Sequence, residues 1–378
     1  MALRILALAT DAYGAGGGIA QYNRDLFQAL ARSGKVDEVV ILPRNGQATA
    51  QDIPAKVRQL RAYPGRIAFA FQALRAMRQH GPFDVIFCGH LYMAPLAALI
   101  SKLAGGTPVW LQIHGIEAWQ RPGMLQRWAA VQARLVTAVS RHTRRLFLNW
   151  ANCTPEMVKV LPNTVDERFT PGPKPETLLD RYKLRGKKVL LTVSRLAASE
   201  RYKGHDQVIR AVANFSSPTR GGGREGDPTP RVNQLVYLVA GDGDDRPRLE
   251  QLAKELGVAD QVRFIGYVPG DELPDLYRAA DVFVMPSTGE GFGIVFLQAL
   301  AAGIPVMGGD SDGSRDPLRD GIYGRLVTAD NNASITAAID EMLREPEYET
   351  AGETVFLRSR FNGLVEYIAL KLSGQVAG

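Results

Sequence analysis

An alternation that runs twice along the chain narrows its fold more than any other feature. Short apolar runs of strand length are each followed by a glycine or polar turn and then by a stretch with helical spacing. In the first half the runs are LRILALAT, VDEVVILPR, FDVIFCGH, TPVWLQIHG and ARLVTAVS. Helical stretches lie between them, among them one from about Ile19 to Gly34 and HLYMAPLAALISKLA. VKVLPNTVDERFTPGPKPE breaks the rhythm: it is proline-rich from Pro162 to Pro175, has no period, and reads as a linker. The pattern then restarts with KKVLLTVSRL, QLVYLVAGDG, QVRFIGY, DVFVMPS and IPVMGGD, separated by HDQVIRAVANF, RPRLEQLAKELG and ELPDLYRAA. Strand–helix alternation of this kind specifies α/β domains with largely parallel sheets. A chain of 378 residues fits two of them better than one core. The expected organisation is residues 1–165, residues 166–355, and a C-terminal helix over 356–378 returning toward the first domain. Ser216–Asn233 reads as a polar, mobile Gly/Pro insert. Two α/β lobes with a hinge place ligands in an interdomain cleft, at the carboxyl ends of the strands.

Composition removes several classes. The two cysteines, Cys88 and Cys153, sit in apolar surroundings, which argues against a disulfide framework or a cysteine metal site and for a reducing cytoplasm. The apolar N-terminus lacks a cleavage pattern and reads as a buried first strand. The longest apolar run, Leu91–Ala104, is broken by Pro95 and Lys102 and falls short of a membrane span. Charge is uneven: residues 1–165 carry 19 Lys and Arg against 8 Asp and Glu, while the rest of the chain is mildly acidic. The basic half implies an anionic partner: nucleic acid, a phosphorylated substrate or an anionic membrane. Within it, Arg58, Arg61, Arg66, Arg75 and Arg78 interleave with Ile67, Phe69, Phe71, Leu74 and Met77. That stretch is either a core-facing helix with a solvated basic side or a membrane-surface element.

The chemistry-bearing positions all follow predicted strands. Gly16, Gly17 and Gly18 form either a tight turn or a place where a phosphate meets backbone at a helix start. Their spacing lacks the acidic residue of a dinucleotide site, which disfavours NAD. Arg195 and Lys203 stand where two phosphates of a diphosphate would lie, a planar fork and a point charge, with Arg201 a competitor for either role. His114 closes a strand, and Glu117 is placed either to orient it or to be solvated. In PSTGEGFGIVFLQALAAGIP, Glu290 and Gly291–Gly293 form a glycine loop before a helix, an anion-binding geometry, and Gln298 follows on the same side. Asp242, Asp244, Asp310 and Asp312 read as turn acids rather than metal ligands, and no His/Cys cluster has zinc spacing, so no metal is expected.

Taken in order, GGGIAQYNRDL, IHGIEAW, LPNTVDERF, VSRLAASERYKGHDQVI, VAGDGDDRPRLEQLA, VRFIGYVPGDELPDLYRAADVFVMPS and EGFGIVFLQALAAGIPV resemble the retaining nucleotide-sugar glycosyltransferases of family 4 over nearly the whole chain. These have two facing Rossmann-like domains, the GT-B architecture. The resemblance implies that Glu290 bonds sugar hydroxyls with the backbone of Gly291, Phe292 and Gly293, with Ile294 at the helix start and Val268 beside the donor. Gln298 stands at the later position of the family's Glu-x7-Glu pair, where the ribose is held, and an amide there alters the bond pattern. Arg195 and Lys203, facing this loop from across the cleft, would stabilise the leaving diphosphate. His114 would contact the transferred sugar, and Gly17 and Gly18 would pack against a phosphate. The family works without a metal, its nucleotide-sugar is a co-substrate rather than a cofactor, and front-face displacement suits a site with no obvious nucleophile.

SERYKGHDQVIRAV and DGSRDPLRDG look most like xanthan-type exopolysaccharide mannosyltransferases. That likeness implies GDP-mannose as donor, a polyprenyl-diphosphate-linked or other saccharide as acceptor, no nucleic acid, and peripheral attachment to the inner face of the plasma membrane. The alternatives are a UDP-sugar transferase of the same family, a nucleotide-sugar 2-epimerase and a degenerate nucleotide-sugar-binding protein.

Overall fold

The computed structural model describes residues 2–14, 16–46, 53–216, 234–344, 358–372 and 374. The 217–233 part of the expected polar insert lies outside them, as do residues 345–357 of the tail. The chain forms two compact units, Met1–Thr164 with Val355–Gly378, and Val165–Thr354.

The first unit contains β1 (Leu3–Ala9), α1 (Gly18–Arg32), β2 (Val36–Pro43), β3 (Val57–Gln59), α2 (Arg66–His80), β4 (Val85–Cys88), α3 (Ala94–Leu103), β5 (Val109–Ile113), α4 (Ile116–Trp119), α5 (Met124–Gln132), β6 (Leu135–Ala138), α6 (Arg141–Leu148) and β7 (Val158–Val160). Its strands pair in the order β3-β2-β1-β4-β5-β6-β7, all parallel. β4 and β5 are buried along their whole length, as a sheet covered on both faces requires, which explains why they read as continuous apolar runs rather than alternating ones.

The second unit contains α7 (Glu176–Arg181), β8 (Lys188–Val193), α8 (His205–Ser216), β9 (Leu235–Ala240), α9 (Arg246–Glu255), β10 (Val262–Gly266), α10 (Leu273–Arg278), β11 (Val282–Met285), α11 (Ile294–Ala301), β12 (Val306–Gly309), β13 (Arg325–Val327) and α12 (Asn332–Arg344). Its sheet is again parallel, in the order β10-β9-β8-β11-β12-β13. One core on each face covers it: Phe283, Phe296, Tyr277 and Leu276 on one side, Val208, Val212, Ile335 and Ile339 on the other. The last helix, α13 (Arg358–Leu372), belongs to the first unit. Arg358 donates to Asp25 of α1 at 3.0 Å, and both side chains are nearly inaccessible.

The basic stretch after residue 55 is not one helix. Arg58 lies on β3, and α2 starts only at Arg66. Phe69, Ala73 and Ala76 face the core, while Ile67 is 88% exposed and Phe71 63%. Helix α2 is therefore core-facing on one side, and its opposite, exposed side also carries the apolar Ile67 and Phe71.

Candidate functional site

Each sheet reverses its winding order once: β1 lies between β2 and β4, and β8 lies between β9 and β11. The loops that leave such a switch point diverge to opposite faces and open a crevice at the strand ends. In the second unit the two loops are 194–204, after β8, and 286–293, after β11. They carry Arg195 and Lys203 on one, Glu290 and Gly291–Gly293 on the other. The expectation that the cations face Glu290 from across a cleft is thus corrected: both groups hang from adjacent strands of one unit.

The two loops are fastened together. Thr288 donates its N–H to the Tyr202 carbonyl at 2.9 Å, and Gly289 lies so close to the Tyr202 ring that an added Cβ would come within 2.7 Å of it. Gly204, at φ +80°, closes the first loop where a Cβ would run into the Pro286 carbonyl oxygen. A buried triad holds the second loop: Asp312 accepts from the Glu290 N–H and the Ser287 hydroxyl through one oxygen, each at 2.6 Å, and from the Ser314 N–H through the other at 2.9 Å. Beneath the first loop, His205 shares hydrogen bonds with Ser194 at 2.8 Å and Tyr237 at 3.1 Å, and burial holds its imidazole neutral, down to about 4.

Glu200, which the sequence reading did not single out, joins the two cations. One of its oxygens pairs with the Arg195 guanidinium, the other with Lys203 Nζ at 2.9 Å. Arg201 does not compete, because Asp245 holds its guanidinium at 2.9 Å. Burial pushes the Glu290 carboxyl up to about 7; Lys203 pulls it down, while Asp312 and Glu200 push it further up. Lys203 therefore acts on both acids at once.

The remaining donor candidates behave differently from one another. Gly293, at φ +82°, begins α11 without a side-chain cap, and the Phe292 side chain is buried, so this turn presents backbone. The Val268 side chain packs in the core, which leaves its backbone as the route to any ligand. Gln298 accepts from the buried Tyr277 hydroxyl at 2.9 Å, so its amide nitrogen is the half that can serve another partner. Asp242 accepts from the Gly243 N–H at 2.9 Å as a turn acid does, whereas Asp244 reaches out of its own turn and accepts from the Ala198 N–H of the loop after β8 at 2.7 Å. Among the described residues no group of three or more His, Cys, Asp or Glu is arranged to hold a metal ion.

In the first unit Gly17, at φ +98°, begins the 15-residue helix α1, and added side chains at Gly17 and Gly18 would meet nothing within 4 Å. His114 follows β5; its Nε2 lies 3.1 Å from the Gly89 carbonyl and its ring packs edge-on to Tyr22. Burial lowers its imidazole to about 4, so it works as a neutral ring. Glu117 does not orient that ring: it accepts from the His114 backbone N–H at 2.5 Å. His90, after β4 at the switch point, also passed unnoticed in the sequence. It is held neutral by burial and accepts from the Tyr92 N–H.

The family model for glycosyl transferases group 1 matches residues 177–353, and that for Glycosyltransferase Family 4 matches residues 16–169. A GDP-mannose-dependent alpha-(1-6)-phosphatidylinositol monomannoside mannosyltransferase of Mycolicibacterium smegmatis is 31% identical over 293 residues, 74% of this chain and 72% of that one. The chain is a family 4 glycosyltransferase. A D-inositol 3-phosphate glycosyltransferase of Geodermatophilus obscurus is likewise 31% identical, over 75% of this chain and 65% of its own. The fold is that of Anabaena Alr3699/HepE, solved in complex with UDP-glucose: TM-score 0.70 at 21% identity, over 99% of this chain and 98% of that one. As a family 4 glycosyltransferase the chain is a hexosyltransferase, and its two Rossmann-like units are those of the GT-B enzymes.

For such an enzyme, Glu200 and Asp312 are the acids worth adding to the sequence-derived set. The signals were present: Glu200 stands three residues before Lys203, and Asp312 precedes Gly313 and Ser314 as a helix cap does.

Proposed function

We propose that this family 4 glycosyltransferase moves mannose from GDP-mannose, with retention of anomeric configuration and without a metal, to a saccharide carried on a lipid phosphate, with a polyprenyl diphosphate as the first candidate. The observation that carries the reading is the meeting of Arg195, Lys203, Glu290 and the Gly291–Gly293 backbone at one switch point. Cations on one loop suit the diphosphate, and a partly protonated carboxyl beside backbone N–H groups suits sugar hydroxyls. Gln298 offers its amide to the ribose, and the Val268 backbone, two residues past β10, is assigned to the base. The leaving diphosphate gathers charge as its bond to C1 breaks, and Arg195 and Lys203 are placed to stabilise it. The acceptor hydroxyl attacks from the same face and passes its proton to the departing phosphate oxygen. The family resemblance assigns the neutral His114 to the transferred sugar and Gly17 and Gly18 to a phosphate, and all three follow strands of the first unit. Mannose and a phosphorylated acceptor are supported by the names of the two relatives, one GDP-mannose-dependent and both with a phosphate-bearing acceptor.

The acceptor side includes a membrane. Ile67 and Phe71 on α2, Leu99 and Leu103 on α3, and Met124 and Leu125 on α5 are all exposed. Residues 61–130 that bear them hold seven Arg and Lys against Asp84 and Glu117. Trp128 lies under Lys102 Nζ at 4.8 Å. Apolar side chains on a cationic ground fit an anionic bilayer surface, so we place the enzyme on the inner face of the plasma membrane. Among the described residues no helix is long and apolar enough to cross a membrane.

The test is transfer from GDP-mannose or UDP-glucose to polyprenyl-diphosphate-linked and phosphatidylinositol-linked acceptors, with product release followed in each combination. Mannose transfer with GDP release is expected, and Lys203→Ala should lower kcat about 100-fold or more. Glucose transfer from UDP-glucose alone would replace the donor. Full activity in Lys203→Ala would remove the leaving-group account.

A further inference from the structure

Glu200 stands between the two cations assigned above to the diphosphate. It is not a solvated surface acid: its side chain is 11% exposed and that of Lys203 is 12%, whereas Arg195 is 74% exposed. Its backbone leaves helical geometry at φ −117°, ψ 25° in the middle of the Ala198–Lys203 turn. Asp244 pins the start of that turn through the Ala198 N–H, and Gly204 pins its end. A loop meant only to hold an anion has no use for a carboxylate between its cations, because that carboxylate cancels one of their two charges.

We propose that Glu200 is a positioning and release residue, which presents Arg195 and Lys203 as a pair to the nucleotide-sugar and weakens the hold on the product nucleoside diphosphate more than the hold on the donor. This rests on the donor-site reading above. The two ligands share a diphosphate, but transfer turns an esterified phosphate into a terminal one. A terminal phosphate ionises a second time near pH ~6, so the product carries up to one more negative charge at neutral pH. A fixed carboxylate repels the product more strongly than the donor, and the difference is larger in a partly water-excluded site than in bulk solvent. The cations needed for the transition state would otherwise retain the product, and product release sets the turnover of many enzymes. The exposure difference orders the events: Arg195, largely exposed, leaves Glu200 readily for a phosphate, while Lys203, as buried as Glu200, stays paired with it and holds the carboxylate in place behind the cations.

The experiment compares wild type, Glu200→Gln and Glu200→Asp. Dissociation constants are measured by calorimetry for GDP and GDP-mannose, with UDP and UDP-glucose as a second pair, alongside single- and multiple-turnover rates. Glu200→Gln should tighten GDP about tenfold and GDP-mannose about threefold or less, as expected when a charge facing a more charged ligand is removed. Its multiple-turnover rate should fall below its single-turnover rate. Glu200→Asp, which keeps the charge, should stay near the wild-type ratio of the two constants. An unchanged GDP to GDP-mannose ratio in Glu200→Gln, or equal weakening of both, would reduce Glu200 to a structural brace and overturn the proposal. Glu200→Ala reads the same ratio if the amide variant does not fold. Lys203→Ala separates the two readings. If it binds GDP and UDP as wild type does, the diphosphate lies elsewhere and the donor-site reading fails. If it loses them while Glu200→Gln keeps the ratio, only the role of Glu200 fails.

Discussion

At the scale of the residue, Glu290 makes a pH prediction whose sign follows from burial. Its carboxyl is raised from the ordinary glutamate value to about 7. The protonated form is thus favoured by folding: the stability it contributes is fully present below the ordinary glutamate range and is lost as pH rises through 7. His114 and His205, both lowered to about 4, act oppositely, contributing stability above the ordinary histidine value that is lost as pH falls. The slopes partly cancel in the wild type, so the informative quantity is a difference. Glu290→Gln should match wild type in thermal stability near pH ~4.5 and exceed it by roughly 2–3 kcal/mol at pH ~8. Parallel curves for the two proteins would show that the carboxyl does not titrate in this range. Residue-scale chemistry was only partly legible in the sequence. Arg195, Lys203 and Glu290 stood out because each follows an apolar run. Glu200 and Asp312 did not, because an acid in a Ser-, Gly- or Asp-rich turn has an ordinary local role, and only pairing across the fold distinguishes it.

At the scale of the element, the loops after β8 and β11 behave as one piece. Gly204 is the joint: its positive φ and its closeness to the Pro286 carbonyl both exclude a side chain. Gly204→Ala should destabilise the protein by about 1–3 kcal/mol and weaken nucleotide binding, although the residue carries no charge or donor side chain. Thermal shift with and without GDP checks both parts, and unchanged nucleotide affinity would show that the loops move independently. Helix α2 shows why periodicity alone fell short. Its apolar residues lie on two sides, Phe69 inward and Ile67 and Phe71 outward, so no single stripe marks a core face.

At the scale of the whole molecule, the parallel α/β fold was readable because both sheets are covered on both faces and their strands are therefore continuous apolar runs. The uneven charge was readable too, but the composition left its partner open among nucleic acid, phosphates and membrane. The membrane contact proposed above rests on exposed Ile67, Phe71, Leu103, Met124 and Leu125 in the same basic half of the chain. The protein should sediment with anionic vesicles at low salt and be released at high salt, since screening shortens the reach of its cations to less than about 10 Å. The pair Ile67→Ser and Phe71→Ser should remain in the supernatant under the low-salt condition; binding equal to wild type would place the contact elsewhere.

That same surface governs how the protein behaves when no lipid is offered. Cationic repulsion keeps copies apart in dilute buffer, while the unpaired apolar side chains attract one another at short range. Added salt weakens the repulsion and leaves the attraction, so a purification that strips lipid with concentrated salt produces the conditions under which copies associate. A mild detergent that covers Ile67, Phe71, Met124 and Leu125 should therefore reduce self-association at high ionic strength, which light scattering with and without detergent checks.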